Sequence, residues 1–255
     1  MNKKIISILI LLMAMSTMVY AGSQLIAAEQ VYHEGNAAYE SLSGRVKTHA
    51  PTDPAAAGDE VATAMGISYD ILQTISEDAV AWLYSPDTVI DYPIMKAEDY
   101  DFYLHHLPDG TENAHGSLFI DFNCAPDFSD PLTIIYGHHM KSGSMFGSLK
   151  GYKEQGYYDQ HPNMYLYTPT GDYRIDLLYG CVIDAGQWRE RAFMYKENIE
   201  ALIAYAAYNT SFQSGAVYNE GDRIVAMSTC SYEFEDARYV VIGILNENPL
   251  ETEVR

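Results

Sequence analysis

Basic residues are scarce in this chain. Fifteen lysines and arginines stand against 35 aspartates and glutamates, a formal net charge of −20. That balance argues against a partner such as nucleic acid or an anionic lipid surface, both of which need a basic face. Cysteine is rarer still. Cys124, Cys181 and Cys230 make an odd count of 3, so at least one thiol is free or pairs between chains. Internal repeats and low-complexity tracts are missing, which excludes a solenoid or a biased, unstructured chain. What the sequence does hold is an apolar content of 48% and 22 tyrosines, the composition of a packed core. Its 255 residues suit one sizeable domain with an N-terminal appendage.

The appendage is the one long uncharged stretch. Lys3 and Lys4 precede an apolar run, and no charged residue occurs between Lys4 and Glu29. That length spans a bilayer with the lysines on the cytoplasmic side. A cleaved signal peptide is the other reading, with small residues around Ala21 as the cleavage site. Both readings export the rest of the chain. The expected organisation is a membrane anchor or signal segment at 1–28, a helical stalk and linker at 29–66, and a catalytic domain at 67–255. The linker centres on residues 51–60, where two prolines and a glycine break any helix.

Helical spacing of Ile71, Leu72, Ile75, Val80 and Leu83 predicts a helix over 69–83. From Val89 the pattern changes to short strands, expected at 89–92, 117–121, 133–136, 164–167, 173–183, 223–229 and 239–245. Residues 169–172 (PTGD) form a hairpin turn. A further helix is expected over 197–208, with Ile199, Leu202, Ile203 and Ala206 on one face. Many strands with few helices predict a mainly β fold, a closed or nearly closed β-barrel decorated by helices.

Two strands of that set carry chemistry. In 223–230 (RIVAMSTC), period-2 alternation puts Ile224, Ala226, Ser228 and Cys230 on one face. In the strand that starts at Arg238 the matching face holds Val240, Ile242 and Ile244. The seven-residue loop 231–237 folds the strands back on each other, so thiol and guanidinium meet at one end of a sheet. A nearby positive charge favours the thiolate, and arginine can also hold a developing oxyanion. A cysteine nucleophile further needs an imidazole to take and return protons. The stretch 136–147 (YGHHMKSGSMFG) follows the apolar run 132–135 and delivers one at His138 or His139. Adjacent side chains on an extended chain point opposite ways, so one of the two faces the thiol. No further ligands at metal spacing accompany these histidines or the pair His105–His106, which is expected at the surface.

The ordered set Asp91–Ile94 (DYPI), YGHHMKSGSMFGSL and STCSYEFEDARYVVIG resembles class B sortases, the transpeptidases of Gram-positive cell surfaces. The resemblance runs from about Ala81 to Leu245. It implies an eight-stranded barrel, and a membrane-anchored, single-pass enzyme with an extracellular catalytic domain. It implies Cys230 as nucleophile, His138 as acid and base, and Arg238 as the oxyanion group. It places Ser228, Thr229 and Tyr136 at the substrate groove, and leaves His139, where many relatives carry asparagine, solvated. Met227 stands where the family usually has leucine, a swap that conserves volume. The implied partners are surface proteins with a C-terminal sorting signal, cleaved after threonine, and an amine of a peptidoglycan precursor of the lipid II type. The motifs call for no metal or organic cofactor. The residue pattern also admits a cell-wall cysteine peptidase or amidase, or a non-catalytic binding module on the same barrel. The sorting motif is open between NPQTN-like and (S/P)PxTG-like signals, with the deciding residues expected in 185–216.

Overall fold

The structure, a computed structural model, describes residues 3–49, 65–96, 98–188 and 198–247. The expected linker at 51–60 lies outside them. Two short strands, β1 (Lys47–His49) and β2 (Met65–Ile67), pair with each other. Eight further strands close a barrel: β3 (Ala79–Tyr84), β4 (Asp91–Lys96), β5 (Leu118–Ile120), β6 (Leu132–Tyr136), β7 (Asn163–Thr168), which follows the short helix α4 (Gln155–Gln160), β8 (Gly171–Asp184), β9 (Ile224–Cys230) and β10 (Ala237–Glu247). Their order around the barrel is β10-β8-β7-β3-β4-β5-β6-β9. The pairs β4–β5 and β6–β9 are parallel and the others antiparallel. The expected turn at 169–172 joins β7 to β8, with Thr168 opposite Gly171. Closure leaves no exposed edge for another chain to extend.

The helix expected over 69–83 is a correction. A short helix, α2 (Tyr69–Ile75), stops there, and Ala79–Tyr84 is strand β3. Apolar residues at 80 and 83 continue a helical spacing by coincidence. Ala79, Ala81, Trp82 and Leu83 are all inaccessible, so β3 is covered on both faces and strict alternation does not mark it as a strand. Strand β4 begins at Asp91, later than expected, and accommodates Pro93.

The N-terminus forms one continuous helix, α1 (Lys3–Val46), which holds a segment long and apolar enough to cross a membrane. Ile10, Leu11, Met18, Val19 and Leu25 are exposed along it. The hydroxyls of Ser16, Thr17 and Ser23 donate back to carbonyls one turn earlier, so these polar groups are satisfied within the helix. The other end of α1 joins the core through Tyr39, Leu42 and Val46. Lys47, just past the helix, pairs with Asp91 at the start of β4, and Asp91 also accepts from the indole of buried Trp82 at 2.8 Å.

The strands bury two layers. Val225 and Met227 of β9 face the barrel interior with Ile135, Phe146, Leu166 and Val241. Ile224 and Ala226 face outward and pack with Leu132, Ile134, Val240, Ile242 and Ile244 beneath α5 (Ile199–Asn209), which presents Leu202 and Ala206. The α5 amide of Ala201 is capped by the Asn198 side chain at 3.1 Å. Both layers follow the alternation expected from the sequence.

Asp91 is the link most easily tested. Asp91→Ala strands the Trp82 indole N–H in the core and removes the Lys47 pair. The expected result is a loss of about 1–3 kcal/mol in urea unfolding, the range for an orphaned buried donor; an unchanged midpoint contradicts it.

Candidate active site

Strand register builds the site. Strand β9 pairs in parallel with β6, Leu132 opposite Ile224 and Tyr136 opposite Ser228. Two residues further along both chains come His138 and Cys230. On the other side, antiparallel pairing sets Arg238 of β10 directly opposite Cys230. The thiol therefore sits between an imidazole-bearing and a guanidinium-bearing chain segment. Buried Thr229 donates its hydroxyl to the Gly137 carbonyl at 2.8 Å, and the Gly137 amide donates to the Ser228 carbonyl at 3.2 Å, so the ends of β6 and β9 stay joined. Gly137 is required there, because a Cβ would run into the side chains of Leu118 and Phe146.

Cys230, His138, Arg238, Ser228, Thr229 and Tyr136 line one cleft of about 170 Å³, together with Tyr100, Leu104, Phe119, Ala185 and Trp188. The structure thus brings together every site residue expected from the sequence. Cys124 and Cys181 are buried, and Cys230 alone of the three cysteines is partly exposed. Burial pushes the Cys181 thiol up to about 12, which leaves it unreactive. The hydroxyl of buried Ser228 has no hydrogen-bond partner. The Thr229 hydroxyl is committed to Gly137, so this residue offers the cleft its backbone.

His138 Nε2 lies 2.7 Å from the carbonyl of Leu104 in the short helix α3 (Phe102–His105). A carbonyl only accepts, so Nε2 carries the proton and Nδ1 holds the lone pair of the neutral ring. Arg238 donates to the carbonyls of Ala237 at 3.0 Å and Asp236 at 3.4 Å, and no carboxylate pairs with it among the described residues. Its remaining N–H groups are free to meet a substrate oxygen. A thiol, an imidazole with an oriented lone pair and an unpaired guanidinium can together perform acyl transfer through a thioester.

His139 departs from expectation. It is half-buried, donates from Nδ1 to the Cys230 carbonyl at 2.7 Å, and stands edge-on to Tyr232. The segment after β6 thus sets this second ring on the backbone of Cys230. His105 is exposed as expected and meets Asp101 at 3.6 Å; His106 stacks on Phe102 with centroids 4.1 Å apart.

The loop between β9 and β10 is held from outside the cleft. Lys153, the last residue of the 3-10 helix Phe146–Lys153, donates to Ser231 at 3.0 Å and pairs with Glu233. Glu233 thereby anchors the loop. Burial alone would raise its carboxyl, but hydrogen bonds from Lys153 and Ser231 outweigh that and pull it from 4.5 to about 2. The Ser231 amide donates to the Ala237 carbonyl at 2.9 Å and closes the loop.

Comparison with known proteins places the chain in a family. The chain is 34% identical over 178 residues to sortase B of Listeria monocytogenes, covering 68% of this chain and 72% of the relative. The chain belongs to the class B sortase family. A solved structure of Clostridium perfringens sortase B superposes with a TM-score of 0.65 at 27% identity, covering 71% of this chain and 100% of that one. A class B sortase of Streptococcus pyogenes involved in pilus biogenesis gives a TM-score of 0.62 at 26% identity, over 70% of this chain and 97% of that one. No family model matches the sequence. As a class B sortase the protein is an enzyme of the cysteine transpeptidase type.

Two measurements follow from the site. Because the folded Glu233 carboxyl titrates lower than the unfolded one, its stabilisation is present above pH about 4.5 and fades as pH falls toward about 2. In Glu233→Gln the stability difference from wild type should be present at pH 7 and shrink through that window in thermal unfolding; a difference constant down to pH 2 contradicts the assignment. His139→Ala removes one hydrogen bond to the backbone of Cys230 and should lower kcat/KM by roughly two- to tenfold. Wild-type turnover in that variant would show the ring to be dispensable.

Proposed function

We propose that this sortase cleaves a C-terminal sorting signal after threonine and transfers the substrate protein to an amino group of a peptidoglycan precursor. The observation that carries the reading is the double register of β9. It sets Cys230 between His138 and Arg238 at the mouth of an aromatic cleft. An extended peptide lies in the cleft against Tyr136, with the Ser228 hydroxyl available to one of its polar groups. Cys230, as thiolate, attacks the threonine carbonyl. Arg238 binds the oxyanion of the tetrahedral intermediate. His138, protonated, gives its proton to the leaving amine as the peptide bond breaks, and a thioester remains on Cys230. An incoming amine then attacks the thioester carbonyl, His138 takes its proton, and the thiolate leaves. This cycle returns both groups to their starting state.

The apolar part of α1 serves as the anchor in this reading. Its exposed aliphatic face and internally satisfied hydroxyls suit a lipid environment, and the domain beyond it stands outside the cell. The described part of 185–216 contributes Ala185 and Trp188 to the cleft wall, while residues 189–197 lie outside the described residues.

The test is turnover of a labelled sorting peptide with and without an added amine. Cys230→Ala should be inactive, and His138→Ala should lose activity by about 10²–10⁴. Arg238→Lys should be nearly as impaired as Arg238→Ala, about 2–4 kcal/mol in kcat/KM, because a point charge does not reproduce the planar fork. Full activity of Arg238→Lys would reduce the arginine to a source of charge. Release of free acid alone, with no amide product at saturating amine, would make the enzyme a hydrolase.

A further inference from the structure

Beneath the cleft lies a polar group that the reaction does not use. Asp121, just past β5, is inaccessible to solvent. One carboxylate oxygen accepts from the hydroxyls of Tyr100 and Tyr136, each at 2.9 Å. The other accepts from the amide and side chain of Asn123 at 2.9 and 3.0 Å. Below it, the Lys96 ammonium donates to the carbonyls of Phe122 at 2.7 Å, Cys124 at 2.8 Å and Asp121 at 3.2 Å. The carboxylate is thus seated on a segment that β4 holds in place. The two phenols come from different parts of the chain, one ahead of α3 and one from the end of β6. Both rings line the cleft, edge to face at 5.8 Å, and Phe119 packs on Tyr136 at 5.4 Å.

We propose that Asp121 is a positioning residue for substrate binding, which fixes the Tyr100 and Tyr136 rings as one rigid wall of the cleft. A phenol hydrogen-bonded to a carboxylate is held in a charge-assisted bond stronger than a neutral one. A single acceptor shared by two phenols sets the distance between their rings. Burial first, and then the nearby carboxylate, push both phenols well above the ordinary tyrosine range, so they remain donors at any working pH. A preformed wall lowers the ordering cost of taking up an extended peptide. The effect belongs to binding and not to proton transfer, because the α3 segment that orients His138 has its own anchor: Tyr103 donates to Asp78 at 2.7 Å and its carbonyl accepts from the Ser117 amide at 2.8 Å.

The inference rests on the cleft being the peptide groove, and its test separates the two. Tyr100→Phe keeps the ring and deletes only the hydroxyl, so it folds even where Asp121→Asn proves unstable. Each variant should raise KM for one sorting peptide by roughly three- to tenfold, with kcat within about twofold. The double variant should lose no more than the worse single one, because both changes break the same bond. Independent, multiplying losses, or a fall in kcat at unchanged KM, overturn the proposal. If wild-type enzyme cleaves no sorting peptide, the functional reading falls, and the wall is judged by Cys230 alkylation alone. The ratio of rates for N-phenylmaleimide and iodoacetamide then reports cleft shape. A changed ratio in Tyr100→Phe supports the rigid wall, and an unchanged ratio refutes it.

Discussion

The parallel pairing of β6 with β9 is the constraint on which the site depends. Cys230 and His138 are far apart in the chain and no local structure connects them. Their neighbourhood exists because two strands run side by side in one register, and a slip by one residue would turn every side chain to the opposite face. That register is secured on both faces. Inside the barrel, Ile135 and Met227 are fully buried; outside, Leu132, Ile134, Ile224 and Ala226 lie in the layer under α5. At the open end the Thr229–Gly137 bond fastens the strands where the side chains are presented. The adjoining antiparallel pair adds Arg238 by the same logic, so a geometry relevant to catalysis is a consequence of core packing.

Around this rigid centre the chain adds restraints from several directions. Leu104 holds one ring nitrogen of His138, His139 holds the Cys230 carbonyl, and Lys153 with Glu233 and Ser231 holds the loop behind them. Each is a single hydrogen bond or a small cluster, and each fixes a group that would otherwise lie on a mobile turn. The cleft wall has an equivalent support in Asp121. The candidate site residues sit at strand ends and in turns, while neighbours outside the cleft restrict their motion.

The legible strands were those written as continuous β-prone apolar runs. Strands β9 and β10 are buried along almost their whole length, and the facing of Cys230 and Arg238 followed from counting alternate residues along them. The hairpin at 169–172 was read from its turn residues, and α5 from its apolar face. Strand β3, equally covered on both faces, was illegible because the helical spacing of Ile71, Leu72 and Ile75 in α2 continues by chance to Val80 and Leu83. The six residues expected at the site do share one cleft. His139 was misread for a different reason. Its place in the family motif made it solvated, and strand alternation ends with β6 at Tyr136, so nothing signalled its bond to the Cys230 carbonyl. Asp121 gave no signal at all: an acid in an acidic chain reads as solvated, and only the convergence of Tyr100 and Tyr136 reveals it as buried.

The account rests on Cys230 carrying the acyl group between two steps. Intact-protein and peptide mass spectrometry of enzyme mixed with a sorting peptide, in the absence of amine, tests this directly. The account predicts a mass increase equal to the acyl fragment ending in threonine, located on Cys230 and discharged when an amine is added. An adduct on Cys124 or Cys181, or product formed with no adduct on Cys230 in a rapid-quench time course, would contradict it.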